Sequence, residues 1–375
     1  MESVWEAKSF GKRPHLVVIG SGIVGLFTAL FHKRKHLAHR VVVVEAGPHP
    51  SGASVKNAGF ACFGSPSELL ADLNKEGADA MLARVEERWL GLLELRAELG
   101  EANIGFEDSG GYEVYRTNDA LYPQVAEGFD SLQQLLQPIF KKPVFNWDDD
   151  AIARFGLNGI DHVVRTELEG PIDTGRMMHT LLQKVIASGV ELQWNRKVTS
   201  VQEHNRCAEI VLADGSRLEA EQVLVATNGY TSALFPQLDV IPARGQVLLT
   251  SPIPGLKLKG TFHLDEGFYY FRDLGGAVLL GGGRNLDVAG ETTSEDATTE
   301  RIQTALEDLL RTVIIPDSDF TIERRWSGTM GFGRESKSPI IQRVSDRVGV
   351  AVRLGGMGVA IGIRVARKAI AMMEQ

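Results

Sequence analysis

His15–Leu16–Val17–Val18–Ile19–Gly20–Ser21–Gly22–Ile23–Val24–Gly25 is the stretch that decides the fold of this 375-residue chain. Residues of strand character run into GxGxxG, and a helical pattern follows to about residue 37. Gly20 permits a tight turn, Gly22 lets the backbone approach a pyrophosphate, and Gly25 lets helix and strand pack closely. The helix N-terminus then favours negative charge. A second apolar strand, Val41–Val42–Val43–Val44, ends at Glu45, 20 residues beyond Gly25. A carboxylate there can accept ribose hydroxyls. The order strand, glycine turn, helix, strand and acid predicts a dinucleotide site, with Gly20, Ser21, Gly22, Ile23, Val24 and Gly25 on the phosphates. Glu45 and Ala46 fall at the ribose.

Leu16 to Phe31 is also apolar enough, behind Lys12, Arg13 and His15, to compete as a secretory signal. It is short of the roughly 20 residues a membrane span needs, and the glycines break it into two elements. Val350 to Met373 carries Arg353, Arg364, Arg367 and Lys368, so it is not expected to span a bilayer either. The chain has 40 Lys plus Arg against 48 Asp plus Glu. That balance disfavours nucleic acid as a partner, because phosphate neutralisation needs surplus positive charge. Cys62 and Cys207 form neither a disulfide framework nor a zinc spacing. A soluble, cytoplasmic protein is the expectation.

No metal site is expected. His32–Lys33–Arg34–Lys35–His36 with His39 reads as the solvated last turn of a helix, where cations suit the dipole. The remaining histidines lack metal-ligand spacing; His263 lies near the strands expected on the substrate side and could contact a ligand, but a surface loop is the expectation. Elsewhere the pattern gives a helix over about 67–99 and another capped by Asn118 or Asp119. Asp173 caps a third, Asp214–Gly215 and Gly275–Gly276 mark hairpins, and a last helix covers about 357–373.

Three further stretches turn the dinucleotide towards FAD. Gly52–Ala53–Ser54–Val55–Lys56–Asn57–Ala58–Gly59 follows Glu45 by a short loop and offers polar atoms and bare backbone, with Lys56 a candidate to sit over a flavin ring. Val223–Leu224–Val225–Ala226–Thr227–Asn228–Gly229 is a second buried strand ending in small residues. Gly355–Gly356–Met357–Gly358–Val359–Ala360–Ile361–Gly362 sets glycines at a helix N-terminus, suited to negative charge on a reduced flavin.

In this order the motifs resemble the D-amino-acid oxidase superfamily of FAD-dependent oxidoreductases, which includes glycine oxidase and sarcosine oxidase. The resemblance extends through Gly170–Pro171–Ile172–Asp173, Pro242–Ala243–Arg244–Gly245–Gln246 and Trp326–Ser327–Gly328. It implies an α/β fold: a Rossmann-like FAD-binding domain from residues 10–78, 155–238 and 323–375. It also implies a substrate domain from 79–154 and 239–322, on a mixed, largely antiparallel sheet. Noncovalent FAD would be held by the opening motif together with Ser54, Asn57, Ala58, Gly59, Val198, Ala226, Thr227, Asn228, Gly355, Gly356, Met357, Gly358, Val359 and Ala360. The implied reaction moves hydride from the amine-bearing carbon of a small amine or amino acid to the flavin, giving an imine. Electrons would pass to O2 or to a quinone or carrier; a flavin-binding protein without turnover is the rival from another class.

On the substrate side the family places a tyrosine on a sheet strand and an arginine on the carboxylate. Gly267–Phe268–Tyr269–Tyr270–Phe271–Arg272 resembles the first region, and alternation allows Tyr269 or Tyr270, not both, to face the flavin. The family's Trp-x-Gly-x-Arg is Trp326–Ser327–Gly328–Thr329–Met330 here, so Met330 stands at the clamp position. Arg284 or Arg325 is left to supply a charge, and Arg244 is either structural or near the flavin. Leu279 falls near the position of the oxygen-activating lysine of sarcosine oxidases.

Overall fold

The computed structural model describes residues 3–9 and 11–375. The opening stretch folds as it reads: Leu16–Ile19 is a buried strand, Ile23–Lys35 a helix and Val41–Val44 a second buried strand. Leu16 to Phe31 is therefore used up by a strand and a helix. No helix among the described residues is long and apolar enough to cross a membrane.

Two compact units divide the chain, each discontinuous. The first comprises Met1–Val55, Met178–Pro242 and Met330–Gln375. Its six-stranded sheet runs Ile340–Arg343, Val348–Val352, Gln222–Val225, Leu16–Ile19, Val41–Val44, Glu191–Gln193, with only the first pair antiparallel. Val17, Ile19, Val42, Val44, Val223 and Val225 form one hydrophobic core with Ala208, Ile210 and Leu212 of a three-stranded antiparallel sheet. Burial on both faces explains why these strands are runs of valine rather than alternating patterns. The last helix, Gly358–Met373, packs along Ile23–Lys35. Gly362 permits that approach, since a Cβ there would lie 2.8 Å from Ile23.

The second unit comprises Lys56–Met177 and Ala243–Thr329. Its eight-stranded sheet runs Ile322–Phe332, Ile241–Thr250, Ala277–Gly282, Tyr269–Leu274, Thr261–Leu264, Gly111–Arg116, Ile160–Thr166, Asn146–Trp147. Thr261–Leu264 pairs parallel with Gly111–Arg116; the other pairings described are antiparallel. One face carries Tyr112, Phe262, Leu264, Tyr269, Phe271, Val278 and Leu280 into a core closed by Phe155, Ile302 and Leu306.

The unit boundaries differ from the expected ones at residues 56–78, 155–177 and 323–329, which belong with the second unit, and at 239–242, which belong with the first. Ile160–Thr166 is a strand of its sheet, and segment 59–67 is tied down by its buried charges. Arg272 donates to the carbonyls of Gly59 and Ile172, and Glu169 accepts from the amides of Phe63 and Gly64. Glu113 accepts from Ser65 and from the amide and hydroxyl of Ser67.

Local differences have local causes. The single helix expected over 67–99 is two, Pro66–Glu76 and Ala78–Leu99, broken at Gly77, whose φ is +84°. Asp119 does not cap a helix; it accepts from the amides of Arg116 and Leu121 in a turn, and the helix Tyr122–Phe140 starts after it. Asp173 does cap its helix, accepting from Arg176 N at 2.9 Å. Gly275 and Gly276, both at positive φ, make the two-residue turn between paired Leu274 and Ala277.

Candidate functional site

In the first unit the glycine motif closes on itself. A Cβ on Gly25 would lie 2.0 Å from the carbonyl oxygen of Gly20, and Gly20 sits at φ +102°. Helix and turn therefore pack as closely as the motif requires. The helix has no acidic residue in its first turn, and its N-cap, Gly22, has no side chain to cap it, so its first amide is met from another segment. Ser54 Oγ accepts from Ile23 N at 3.0 Å, which joins the 51–55 segment to that end.

Glu45 is nearly buried and more fully occupied than the sequence suggested. One carboxylate oxygen accepts from the amide and hydroxyl of Ser21 at 2.9 and 2.7 Å. The other accepts from Gly47 N and Ser51 Oγ at 3.0 and 3.2 Å. Glu45 thus braces the glycine turn and the 46–51 loop together. Ala46 beside it is exposed.

Beyond the carboxyl end of the neighbouring parallel strand, Gln222–Val225, Asn228 has φ +45° and its Oδ1 accepts from the amides of Arg353 and Leu354, both at 3.1 Å. Asn228 therefore positions the glycine segment that follows. Gly355 is fixed by the hydrogen bond its N–H donates to Gly331 O and by φ +57°. Gly356 and Gly358 are different, because a Cβ on either would meet nothing within 4 Å. The chain's own packing gives no reason for their bareness. Ala226 is buried, Thr227 bonds Thr231, and Val198 is half-buried against the neighbouring core. Val359 and buried Ala360 lie in the first turn of the last helix, for which Met357 is the N-cap.

In the second unit the sheet face opposite the core carries a row set by register. Glu113, His263, Tyr270, Gly281 and Val247 are successive partners across five strands. Alternation sends Tyr269 into the core and Tyr270 to this face. Tyr270 packs with Phe60, Leu249 and Trp326 over Ala58, Val247 and Leu279. Its ring lies across Gly281, where a Cβ would fall 2.3 Å from Cε2. Burial pushes the Tyr270 hydroxyl up to about 12, so it stays protonated at neutral pH.

His263 overturns the surface-loop expectation. It lies in the Thr261–Leu264 strand, edge-on to Phe60 at 5.2 Å, and its Nε2 is buried with no partner among the described residues. Burial pushes its imidazole down to about 4, so the ring is neutral at pH 7. The alternation Phe262, His263, Leu264 was the available signal. Buried Glu169 and Glu113 were also missed; Glu169 is pushed up to about 8 by burial.

The candidate charges resolve by their partners. Arg244 is buried in a two-point pair with Glu291, at 2.9 and 2.8 Å, which gives its charge a partner within the chain. Arg325 is held by Gln303 and Glu307, both at 2.6 Å. Arg284 is half-buried after the Ala277–Gly282 strand, where burial lowers its pKa and Glu291 opposes that shift. Met330 is half-buried and shares its side of the Ile322–Phe332 strand with Trp326 and Gly328. Lys56 pairs with Asp296, and its carbonyl accepts from Trp326 Nε1 at 2.9 Å. Gly59 is a glycine for packing, since a Cβ there would lie 2.3 Å from Ile172 O. Asn57 Oδ1 accepts from Gly59 N at 2.9 Å.

The basic run at 32–36 is not a solvated face throughout. His32 is buried, its Nε2 3.1 Å from His39 Nδ1, and His15 stacks on His39 at 4.2 Å. Among the described residues no group of three or more His, Cys, Asp or Glu is arranged to hold a metal ion.

Comparison with known proteins agrees with this architecture. An N-methyl-L-tryptophan oxidase of Yersinia pestis is 25% identical over 240 residues, spanning 61% of this chain and 57% of that protein. L-proline dehydrogenase from P. horikoshii superposes with a TM-score of 0.76 at 16% identity, covering 96% of this chain and 92% of that one. Glycine oxidase from Geobacillus kaustophilus superposes with a TM-score of 0.75 at 18% identity, covering 96% and 95%. These likenesses establish a shared fold. The family model described as FAD dependent oxidoreductase, DAO, matches residues 15–372, and the chain belongs to that family.

Proposed function

We propose that the protein oxidises a small amine or amino acid with noncovalently held FAD, and that its site takes a substrate with an apolar body, with Met330 rather than an arginine at the α-carboxylate clamp position. The observation that carries this reading is the face built from Phe60, Tyr270, Trp326, Ala58, Val247 and Leu279, with the described arginines Arg244 and Arg325 committed elsewhere. Gly356 and Gly358, bare without a packing reason, and the first turn of the Ile23–Lys35 helix, which has no acidic residue, fit a group approached by backbone amides. The nucleotide half falls to Gly20–Gly25 and Glu45, and the flavin half to Ser54, Asn57 and the 355–360 segment. The cofactor supplies the hydride acceptor. The chain's part is to orient the substrate and exclude water. Tyr270 offers a protonated hydroxyl, and neutral His263 offers a hydrogen-bonding nitrogen without adding charge beside an amine. Two free, buried cysteines support a cytoplasmic setting.

Purified protein should be yellow, and acid precipitation should release the colour into the supernatant. Colour kept in the pellet would defeat noncovalent binding. Anaerobic addition of amines, N-methyl amino acids and polyamine derivatives should bleach the flavin with at least one of them; failure with every class would favour a flavin protein without turnover. Reoxidation in aerated buffer then separates O2 from a quinone or carrier.

A further inference from the structure

Beside the aromatic face, strand register gathers the walls of a polar cavity. Gly111 pairs with Thr166, and Glu113 pairs with Val164 on one side and His263 on the other, so these residues stand on one face of the sheet. Glu169 folds back over them. One of its carboxylate oxygens accepts from Phe63 N and Gly64 N at 2.7 and 3.3 Å. The other lies against Gly111, where a Cβ would fall 2.5 Å from it. Glu113, Thr166 and Glu169 are buried, and the cavity they line with His263 has room for about one water molecule. His263 adjoins the aromatic face as well, because its ring stands edge-on to Phe60, which packs with Tyr270 and Trp326. Its Nε2 is buried without a partner among the described residues. Buried polar atoms are nearly always hydrogen-bonded, so this nitrogen calls for one. Glu113 is already taken up, accepting from Ser65, Ser67 and Tyr115. Glu169 lies over Gly111, the diagonal neighbour of His263 across the two strands, a separation that suits a bridging water rather than a direct bond.

We infer that a water molecule in this cavity bridges His263 Nε2 and the Glu169 oxygen beside Gly111, and that Glu169 is thereby a positioning residue for the amine substrate. This rests on the proposed oxidoreductase reading, in which the substrate's apolar body lies along Phe60, Tyr270 and Trp326. A void of this size lined by apolar side chains stays dry, whereas one walled by an imidazole, a carboxyl group and the Thr166 hydroxyl offers water the partners it needs. The imidazole stands against the Phe60 ring, so holding one in place holds the other. Loss of the bridge lets both shift, which weakens capture of the substrate more than the hydride step carried out on the cofactor.

The test joins a high-resolution crystal structure of the holoenzyme to kinetics with whichever amine bleaches the flavin fastest. An ordered water should lie within about 3.2 Å of both His263 Nε2 and a Glu169 oxygen. Glu169→Leu should lose that water and raise KM about tenfold, with kcat lowered less than about threefold. Glu169→Gln keeps an acceptor for Phe63 and Gly64 and a donor for the water. It should therefore retain the water and hold KM within about threefold of wild type. Should Glu169→Leu fail to fold, His263→Leu carries the same two readings, since it keeps apolar packing against Phe60. No water, a water touching only one of the two groups, or an unchanged KM in the leucine variant would overturn the inference. A lower melting temperature with unchanged KM would leave Glu169 as a brace for residues 63–64 alone. The crystal structure is read independently of turnover: a bridging water with no amine able to bleach the flavin would sink the oxidoreductase reading and leave the water site standing.

Discussion

At the residue scale, Tyr269 and Tyr270 are adjacent in sequence and opposite in environment. Tyr269 is 6% exposed in the core with Ile302 and Leu306, while Tyr270 lies across Gly281 on the aromatic face. Tyr270→Phe should lower kcat/KM about tenfold, the loss of one hydrogen bond of roughly 1.4 kcal/mol, with little change in melting temperature. Tyr269→Phe should leave kcat/KM within about twofold, and the reverse pattern would assign the roles the other way. Glu45→Ala should weaken FAD binding tenfold or more, because it removes charge-assisted bonds of roughly 1.5–3 kcal/mol each, including those that brace Ser21. Equal FAD affinity in an equilibrium titration would count against that role. Met330→Arg should raise kcat/KM for simple α-amino acids relative to the matching decarboxylated amines. A wild-type preference above about tenfold for the acids, roughly 1.4 kcal/mol, would refute the missing clamp before the variant is made.

At the scale of elements, the glycines divide into those the chain needs and those it does not. Gly25 holds helix to strand, and a Cβ 2.0 Å from Gly20 O forces the two apart. Gly356 begins the turn before the last helix with open space around it. Gly25→Ala should therefore lower the melting temperature of the apoprotein, by several degrees or past folding. Gly356→Ala should leave apoprotein melting unchanged and weaken FAD binding. Thermal unfolding of apo and reconstituted protein checks both, and unaltered FAD affinity in Gly356→Ala would remove that segment from the cofactor site. The same elements show what sequence patterns reach. GxGxxG, the valine strands and the Gly275–Gly276 turn were legible because each is a local pattern with a local cause. The break at Gly77 was missed because the apolar spacing continues across it, and only a positive φ interrupts the helix.

For the whole molecule, pH couples to stability through buried groups that sequence reading passed over. Glu169 ionises near 8 when folded and at its ordinary 4.5 when unfolded, because burial penalises its charge. Between those values the native state binds more protons than the unfolded chain, so its contribution to stability is lost as pH rises from 4.5 to 8. His263, pushed down to about 4 from 6.5, acts oppositely: stability rises with pH between 4 and 6.5. Between 4.5 and 6.5 the two oppose each other, and His32, also pushed down to about 4, adds to the rise. From 6.5 to 8 these histidines no longer contribute and Glu169 lowers stability. There its slope should approach about 1.4 kcal/mol per pH unit. Glu169→Gln should flatten denaturant-measured stability over that window while leaving His263's rise at lower pH. An unaltered slope would show that Glu169 is ionised in the folded protein at neutral pH.

By itself the sequence determined the nucleotide half of this protein, because the dihedral freedom of glycine and the burial of a parallel strand are written into neighbouring residues. The same holds for the Rossmann-like class and for the absence of an arginine at position 330. Tertiary structure decided the substrate half. Which tyrosine leaves the core follows from strand register, and Glu113, His263 and Tyr270 come from separate stretches that only the sheet aligns. Arg244 was ambiguous until Glu291, 47 residues away, supplied its partner. Lys56 and Asp296, separated by 240 residues, likewise meet only once the chain is folded. Local patterns carry backbone conformation; charge partners and site faces depend on contacts between distant segments, and one sequence read along its length does not contain those distances.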